Sequence, residues 1–132
     1  MKIKYNSTLI GGFDHDGLPK IVAIDESLFI EVNDQHIWVI GGIETKYKKL
    51  RLTTTQSRDI QVLEKFVNDN FMEGTHFTHD GWTGYNFLNN NINYTHESHN
   101  HGNGDFGEGY HSTSHIESVW GRLKKIINSL YG

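Results

Sequence analysis

The sequence contains no cysteine and only one proline in 132 residues. Without thiols, the chain forms neither disulfides nor thiolate zinc sites. Its formal charge of −4 argues against a simple basic protein that coats DNA, but not against an enzyme with an acidic metal centre. No apolar run reaches the roughly 18 residues needed to span a bilayer, and MKIKYNSTLIGGF is too weakly apolar for a signal peptide. We therefore expect an intracellular domain, in the nucleus of a eukaryotic host or the cytoplasm and nucleoid of a prokaryotic one.

The hydrophobic pattern predicts the element order β-β-β-α-β-α-β-α. The first three strands, at 20–32, 36–45 and 47–54, form an antiparallel meander. A helix follows with Ser57 as N-cap, an end at Glu73-Gly74, and apolar residues at helical spacing, namely Ile60, Leu63, Phe66, Val67 and Phe71. Two short strands at 75–80 and 92–98 flank a brief helix at 83–88.

The last helix, predicted from Ser114 to Leu130 after a loop at 99–111, is the clearest element. Its apolar stripe recurs every 3.6 residues and consists of Ile116, Val119, Trp120, Leu123, Ile126, Ile127 and Leu130. The fold class that follows is α/β, a mixed sheet of three antiparallel strands and then shorter parallel strands, flanked by helices.

Asp25 interrupts an otherwise apolar strand directly after Ile24. A buried carboxylate needs a metal, a cation or strong hydrogen bonds to compensate its charge. The alternative is that the strand ends here in a turn, but SLFIEV continues the strand pattern, so we favour a functional Asp25. Strand alternation directs Glu26 to the opposite face, so we do not expect both side chains to serve one site.

Asp80 and Glu117 each have a functional and a structural interpretation. Asp80 ends the segment THFTHD, where ligands commonly bind in α/β sheets, but Asp80-Gly81 is also a common turn dipeptide. Ser114-x-x-Glu117 matches a capping box, in which the glutamate accepts from the cap's backbone N–H. Glu117 nevertheless borders the apolar stripe, and Lys124 projects from nearly the same side two turns later. Such a pair suits a metal and a phosphate.

Seven of the nine histidines lie between positions 76 and 115, including the pair His99-Asn100-His101. Imidazoles bind zinc and other transition metals, but no H-E-x-x-H or Cys/His spacing completes a site. We therefore interpret them mainly as polar loop residues.

Five segments, taken in order, resemble the DDE transposase domain of the ISXO2-like group (the IS1595/IS1016 superfamily with its Merlin relatives). They are IVAIDESLF, WVIGGIE (38–44), HDGWTGYNFL (79–88), THESHNH (95–101) and HSTSHIESVWGRLKK (111–125). The D-G-W-x-x-Y block followed by H-x-T-x-x-I-E-x-x-W-x-x-x-K is the specific part. From Asp80 to Glu117 there are 36 intervening residues (117 − 80 − 1), as DDE enzymes space their second and third acids.

The resemblance implies an RNase H-like fold that brings Asp25, Asp80 and Glu117 around two Mg²⁺ ions, with Mn²⁺ as a substitute. It implies metal-dependent cleavage and transfer of DNA strands, with transposon ends and target DNA as partners and further copies of the chain in a synaptic complex. His115 is an alternative to Glu117 as third ligand. The expected DNA contacts are Lys124, Lys125, Arg122, Trp120, His111 and His115, and the expected supporting residues are Glu26, Trp82, Tyr85, His99 and His101.

Residues 21–132 would form this catalytic domain and residues 1–20 an N-terminal arm. Full-length relatives usually carry a DNA-reading region before the catalytic domain, often a zinc ribbon, for which this chain has neither length nor cysteine. Four alternatives therefore stay open. The chain could be a truncated copy, a core that relies on another chain, a nuclease without strand transfer, or a non-catalytic remnant that binds DNA or a partner transposase.

Overall fold

The computed structural model describes residues 8–131, and the side chains of residues 8–130. The strands are β1 (Ile10–Gly11), β2 (Ile21–Val32), β3 (Gln35–Glu44), β4 (Leu50–Thr55), β5 (Phe71–Met72), β6 (His76–His79) and β7 (Thr95–Ser98). The α-helices are α1 (Ile60–Asn70) and α2 (Ser114–Tyr131). Short 3-10 helices occupy Thr83–Leu88, His101–Asn103 and Gly109–His111. Residues 1–7 of the predicted arm lie outside the described part of the chain.

The main sheet has the strand order β4-β3-β2-β6-β7. The hairpins β2–β3 and β3–β4 are antiparallel, whereas β6 and β7 join the other side of β2 in parallel. This arrangement confirms the predicted mixed sheet of three antiparallel strands followed by shorter parallel ones. Within residues 8–131, no helix combines the length and the apolarity needed to cross a membrane.

Both faces of the sheet are covered, which explains why β2 starts with a continuous apolar run. Alternate residues of β2 point to opposite faces, so Val22 and Ile24 pack in one core cluster and Ala23 in the other. The first cluster contains Leu63, Phe66 and Val67 of α1. The second contains Ile116, Val119 and Trp120 of α2. The helix that carries Glu117 is therefore fixed to the face to which Asp25 points.

Two glycines in the middle of β3 allow both layers to approach the sheet closely. A Cβ at Gly41 would lie 2.8 Å from Cη2 of Trp120, and a Cβ at Gly42 would lie 2.6 Å from Cζ of Phe71. Both distances are shorter than carbon atoms tolerate, so the Gly-Gly pair in WVIGGIE is required by packing on opposite faces of one strand.

Three predicted details differ in the structure. Helix α1 begins at Ile60 with Asp59 as N-cap rather than Ser57, and Phe71 has already left the helix to form β5. β5 pairs with β1, which fixes the described part of the N-terminal arm to the domain. The stripe of α2 is buried only in its first half, since Ile126 and Leu130 are exposed where the helix extends past the sheet.

Candidate catalytic site

The site lies where β2 and β6 separate. Their parallel pairing ends at Ala23↔Thr78, after which β2 continues to Val32 while β6 stops at His79. The next residues on β2 are Ile24, Asp25 and Glu26, and the residue that follows β6 is Asp80. The carboxyl end of β6 therefore opens a gap beside β2 in which polar side chains meet, as in other α/β sheets.

Three carboxylates converge in this gap. Asp25, Glu26 and Asp80 each offer an oxygen, and these atoms all lie within 4.8 Å of one another. The prediction that Glu26 does not share a site with Asp25 is wrong in this respect. Alternation still separates their contacts, because Asp25 meets Trp120 of α2 and Glu26 meets Tyr85 on the other face. Because β6 has ended, however, it no longer lies beside β2 at this point. Both carboxylates can therefore reach the gap that it leaves.

Asp25 is held from the α2 side. Nε1 of Trp120 donates a hydrogen bond to Oδ2 of Asp25 over 3.0 Å. Burial raises the pKa of Asp25, the Trp120 hydrogen bond counteracts part of that effect, and the charge of Asp80 raises the pKa further. Trp120 thus stabilises the ionised form of a carboxylate that its surroundings otherwise favour in the protonated form.

Glu26 is held from the α1 side by two partners. The hydroxyl of Tyr85 donates to Oε1 over 2.6 Å, and the guanidinium of Arg58 lies 3.3 Å from Oε2. Arg58 lies between two indole rings, 4.1 Å from the centroid of Trp38 and 4.6 Å from that of Trp82. Burial is the main reason that the pKa of Glu26 rises to about 8, although the hydrogen bond from Tyr85 works in the opposite direction.

Asp80 serves the turn and the site at once. Its Oδ1 accepts from the backbone N–H of Trp82 over 3.0 Å, while an oxygen of the same carboxylate belongs to the group with Asp25 and Glu26. Gly81 takes a φ of +89°, which favours glycine. The two interpretations of Asp80-Gly81 are therefore compatible, because the turn fixes the direction of the carboxylate.

A chain of neutral imidazoles supports this turn. The N–H of Gly81 donates to Nδ1 of His79, so that Nε2 of His79 carries the proton and donates to Nδ1 of His96. Nε2 of His96 in turn donates to Oδ1 of Asn89. Burial lowers the pKa of His79 to about 4, consistent with a neutral ring that accepts from the backbone.

Glu117 is not in the capping arrangement. Ser114 is already the first residue of α2, and its backbone N–H donates to Oγ of Ser112 over 3.1 Å. The partly buried side chain of Glu117 lies one turn before Trp120, on the part of α2 that contacts β2. Among the described residues, it is not in the group whose oxygens lie within 4.8 Å of one another. The structure thus brings together Asp25 and Asp80 but does not include Glu117 in their group.

Apart from Trp120, whose buried ring bonds Asp25, the predicted DNA-contacting residues fall into two groups. Arg122, Lys124 and Lys125 are exposed on α2, and Nζ of Lys124 lies 5.4 Å from the ring centroid of Phe29. His115 instead bonds the Gly109 carbonyl at 2.9 Å, and His111 bonds Glu97 in a second cluster.

The predicted supporting residues also divide. Tyr85 and Trp82 flank the carboxylates through Glu26 and Arg58. His99 bonds Glu97 and His101 bonds Thr113, so neither bonds a carboxylate of the Asp25 site.

Arg58, His76 and Glu97 are not among the residues predicted from the sequence. Arg58 precedes α1 in a polar segment without a distinguishing pattern, and its pairing with Glu26 spans 32 positions of sequence. Glu97 does lie within THESHNH, but its partners His76 and His111 come from distant segments. Alternation within β7, which places Thr95 and Glu97 on one face, is the sequence signal that points to this cluster.

The donor set of the Asp25 site fits a hard divalent cation. All three groups offer carboxylate oxygens, which Mg²⁺ and Mn²⁺ prefer. The raised pKa values of Asp25 and Glu26 indicate negative charge crowded in a partly dry site, which a cation would compensate.

Solved structures similar to this chain are retroviral integrases and their assemblies. A chain of the simian T-cell lymphotropic virus intasome in complex with the PP2A regulatory subunit B56 gamma has a TM-score of 0.59 and 14% identity, over 92% of this chain and 44% of that chain. The HTLV-2 integrase catalytic core domain in complex with magnesium, in its trimeric form, has a TM-score of 0.55 and 10% identity over 84% of this chain and 70% of that one. The BIV integrase catalytic core domain has a TM-score of 0.52 and 14% identity over 80% of this chain and 67% of that chain.

These likenesses show that the chain has the RNase H-like fold, and that it spans less than half the length of the intasome chain. No curated protein matches the chain. The family pattern of the ISXO2-like transposase domain matches residues 21–132, which include β2, β6 and α2. The chain therefore belongs to the family of ISXO2-like transposase domains.

Proposed function

We propose that this domain cleaves DNA strands and transfers the resulting ends in a metal-dependent reaction, with Asp25, Asp80 and Glu117 as its metal-binding acids. The observation that carries the proposal is the meeting of Asp25 and Asp80 at the carboxyl end of β6. Asp80 also serves its turn and Asp25 accepts from Trp120, but two adjacent, partly buried carboxylates still favour a bound cation.

Asp25 and Asp80 would hold Mg²⁺, with Glu26 beside them. When bound, Mg²⁺ supplies activation of the nucleophile and stabilisation of the leaving oxygen. The HTLV-2 integrase core whose fold resembles this chain was solved with magnesium, which supports the same ion here.

The chain's own residues prepare the site for this ion. Trp120 keeps Asp25 directed into the gap, and the turn at Gly81 does the same for Asp80. Glu26 retains a proton near neutral pH while no cation is present, so the site avoids three adjacent negative charges.

Glu117 would provide the third acid from α2. Its support is its helix, since Trp120, three residues later on α2, donates to Asp25. The Ser114 N–H that a capping glutamate would use already donates to Ser112, which leaves the carboxylate of Glu117 free for another role.

In the proposed reaction, a water oxygen attacks a backbone phosphorus and the bond from phosphorus to the 3′ oxygen breaks. The 3′ oxygen takes up a proton, leaving a 3′-hydroxyl and a 5′-phosphate. The 3′-hydroxyl then attacks a phosphorus of the target strand, forming one phosphodiester bond and breaking another. Exposed Lys124, Lys125 and Arg122 on α2 would contact the phosphates. The intasome and the trimeric form of the integrase core support a reaction by several copies of the chain.

The test is a cleavage assay with the purified chain and a labelled duplex that covers the sequences flanking its gene, in Mg²⁺, Mn²⁺ or EDTA. We expect nicked and joined products only with metal. Loss of one metal ligand in Asp25→Asn, Asp80→Asn or Glu117→Gln should reduce the rate more than about 100-fold, beyond the usual cost of disturbing residues around a metal. Glu26→Gln should retain a larger share of activity than Glu117→Gln.

Asp16→Asn, in an exposed loop, is the matched control for loss of one acidic charge and should leave the rate unchanged. Nicking without joining, even with two end fragments, would indicate a nuclease. Cleavage that persists in EDTA or in the Asp80→Asn variant would contradict the proposal. Binding of the duplex by the wild-type chain without any cleavage would also contradict it.

A further inference from the structure

A second cluster of ligand-forming side chains lies at the edge of the sheet formed by β6 and β7. His76 begins β6, Glu97 lies on β7, and His111 ends the 3-10 helix that precedes α2. Each offers an atom, and these atoms all lie within 4.8 Å of one another. Oε2 of Glu97 is 2.6 Å from Nε2 of His76 and 2.5 Å from Nδ1 of His111.

We propose that His76, Glu97 and His111 form a binding site for a divalent transition-metal ion, for which Zn²⁺ is the best fit. Two imidazole nitrogens and one carboxylate form a donor set that proteins use for zinc. The same set is poorly suited to Mg²⁺, which prefers oxygen ligands, so this site differs in chemistry from that of Asp25 and Asp80.

Only small movements are needed to admit the ion. Ligands about 2.1 Å from a tetrahedral Zn²⁺ lie about 3.4 Å from each other. The observed separations from Glu97 Oε2 therefore need to open by about 1 Å. His111 can provide this movement because its side chain is half exposed on a one-turn helix. The ion would replace the two N–H protons that His76 and His111 now direct at the same oxygen.

The surrounding side chains already orient the three ligands. Nδ1 of His76 lies 2.7 Å from Oγ1 of Thr95, which leaves its Nε2 for the site. The other oxygen of Glu97 is held by Nε2 of His99 at 2.7 Å, and Nδ1 of His99 is held by Asp105 at 3.0 Å. Hydrogen bonds from the outer atoms of metal ligands are typical of zinc sites, where they fix the ligand rings.

One side of the cluster is open. A cavity of about 290 Å³ is lined by His76 and His111 together with Leu18, Pro19 and Ile21. Three protein ligands with an open side leave room for a water molecule or another ligand at the fourth position.

The ion would connect three segments that are distant in sequence. It would fasten the segment that leads into α2 to the edge of the sheet, and α2 carries Trp120 and Glu117. The site does not depend on the proposed DNA chemistry, and its test uses metal binding rather than activity.

The experiment titrates the chelator-treated, dialysed full chain with Zn²⁺ in a calorimeter, in an Asp80→Asn background that weakens the acidic site. We expect one Zn²⁺ per chain. His111→Ala and Glu97→Gln should each weaken binding by about 100-fold or more, since a direct ligand should matter at least as much as the residues around one. Co²⁺ should give the intense visible absorption of a four-coordinate site, and this absorption should disappear in His111→Ala.

His36→Ala is the matched control, because His36 lies on β3 with a half-exposed side chain outside the cluster and should leave binding unchanged. Circular dichroism checks that each variant is folded. If Glu97→Gln does not fold, His111→Ala still tests the proposal, because the substituted side chain is exposed. Absence of Zn²⁺ binding by the Asp80→Asn protein, or equal affinity in His111→Ala and His36→Ala, would overturn the proposal.

Discussion

Glu26 gives the most direct test of the charge crowding in the gap between β2 and the end of β6. Its side chain is 5% exposed, and its pKa is raised from 4.5 to about 8, chiefly by burial and further by the charges of Asp25 and Asp80. The substitution Glu26→Gln removes the titrating group but keeps an acceptor oxygen for Tyr85. The altered contact with Arg58 should cost little, because that guanidinium is partly exposed.

The expected magnitude follows from proton linkage. The folded state holds a proton that the unfolded chain releases above pH 4.5, so the stability contribution is full below pH 4.5 and is lost as the pH rises through about 8. Each pKa unit corresponds to about 1.4 kcal/mol. Between pH 5 and pH 8, the wild-type chain should therefore lose about 3 kcal/mol of unfolding free energy relative to Glu26→Gln.

The assay is urea denaturation of both proteins at several pH values, in EDTA and again in Mg²⁺. Groups that titrate in both proteins cancel in the difference between their unfolding free energies, which isolates the contribution of Glu26. Saturating Mg²⁺ should largely abolish the difference in slope, because a cation stabilises the ionised carboxylates. Parallel pH profiles in EDTA would refute the reasoning, and so would a wild-type chain that gains stability relative to the variant as the pH rises.

Two further predictions concern packing and the second cluster. Gly41→Ala places a methyl group 2.8 Å from the Trp120 ring and should destabilise the chain by about 1–3 kcal/mol, whereas the control Gly121→Ala, with open space on α2, should stabilise it by up to about 1 kcal/mol in thermal denaturation. In EDTA, Glu97→Gln should be most destabilising between about pH 4.5 and 6.5. Despite partial burial, histidine hydrogen bonds lower the pKa of Glu97 to about 2, so its contribution is lost as the pH falls from 4.5 through 2. Partial burial lowers the pKa of His99, but its hydrogen bonds to Glu97 and Asp105 outweigh this effect and raise the pKa above 6.5. The contribution of His99 is therefore lost as the pH rises above 6.5. A pH-independent effect of Glu97→Gln would contradict this account.

The turn at Asp80 shows how a local role and the proposed metal-binding role can combine in one residue. The same carboxylate accepts from the Trp82 N–H and faces Asp25 and Glu26. A hydrogen bond within the turn restricts the side chain before any ion binds, which reduces the entropy that binding would otherwise cost. A residue identified as a turn former is therefore not excluded from a catalytic site.

The sequence by itself determined the elements and their class. The continuous apolar run in β2 predicts a strand covered on both faces, and the 3.6-residue period in α2 predicts a helix buried on one face. The same patterns located Asp25 within a buried strand and Asp80 at a strand end, and the motif spacing identified the family that residues 21–132 match. These inferences depend on neighbours in sequence, which a one-dimensional pattern records.

Only the tertiary structure decided which side chains meet. β6 ends after pairing as far as Ala23, so Glu26 joins Asp25 and Asp80 although alternation alone separates it from Asp25. The cluster around Glu97 likewise takes ligands from β6 and from the turn before α2. Strand alternation gives the face of a side chain, but the length of the neighbouring strand and the path of distant loops set which groups share the space beside it.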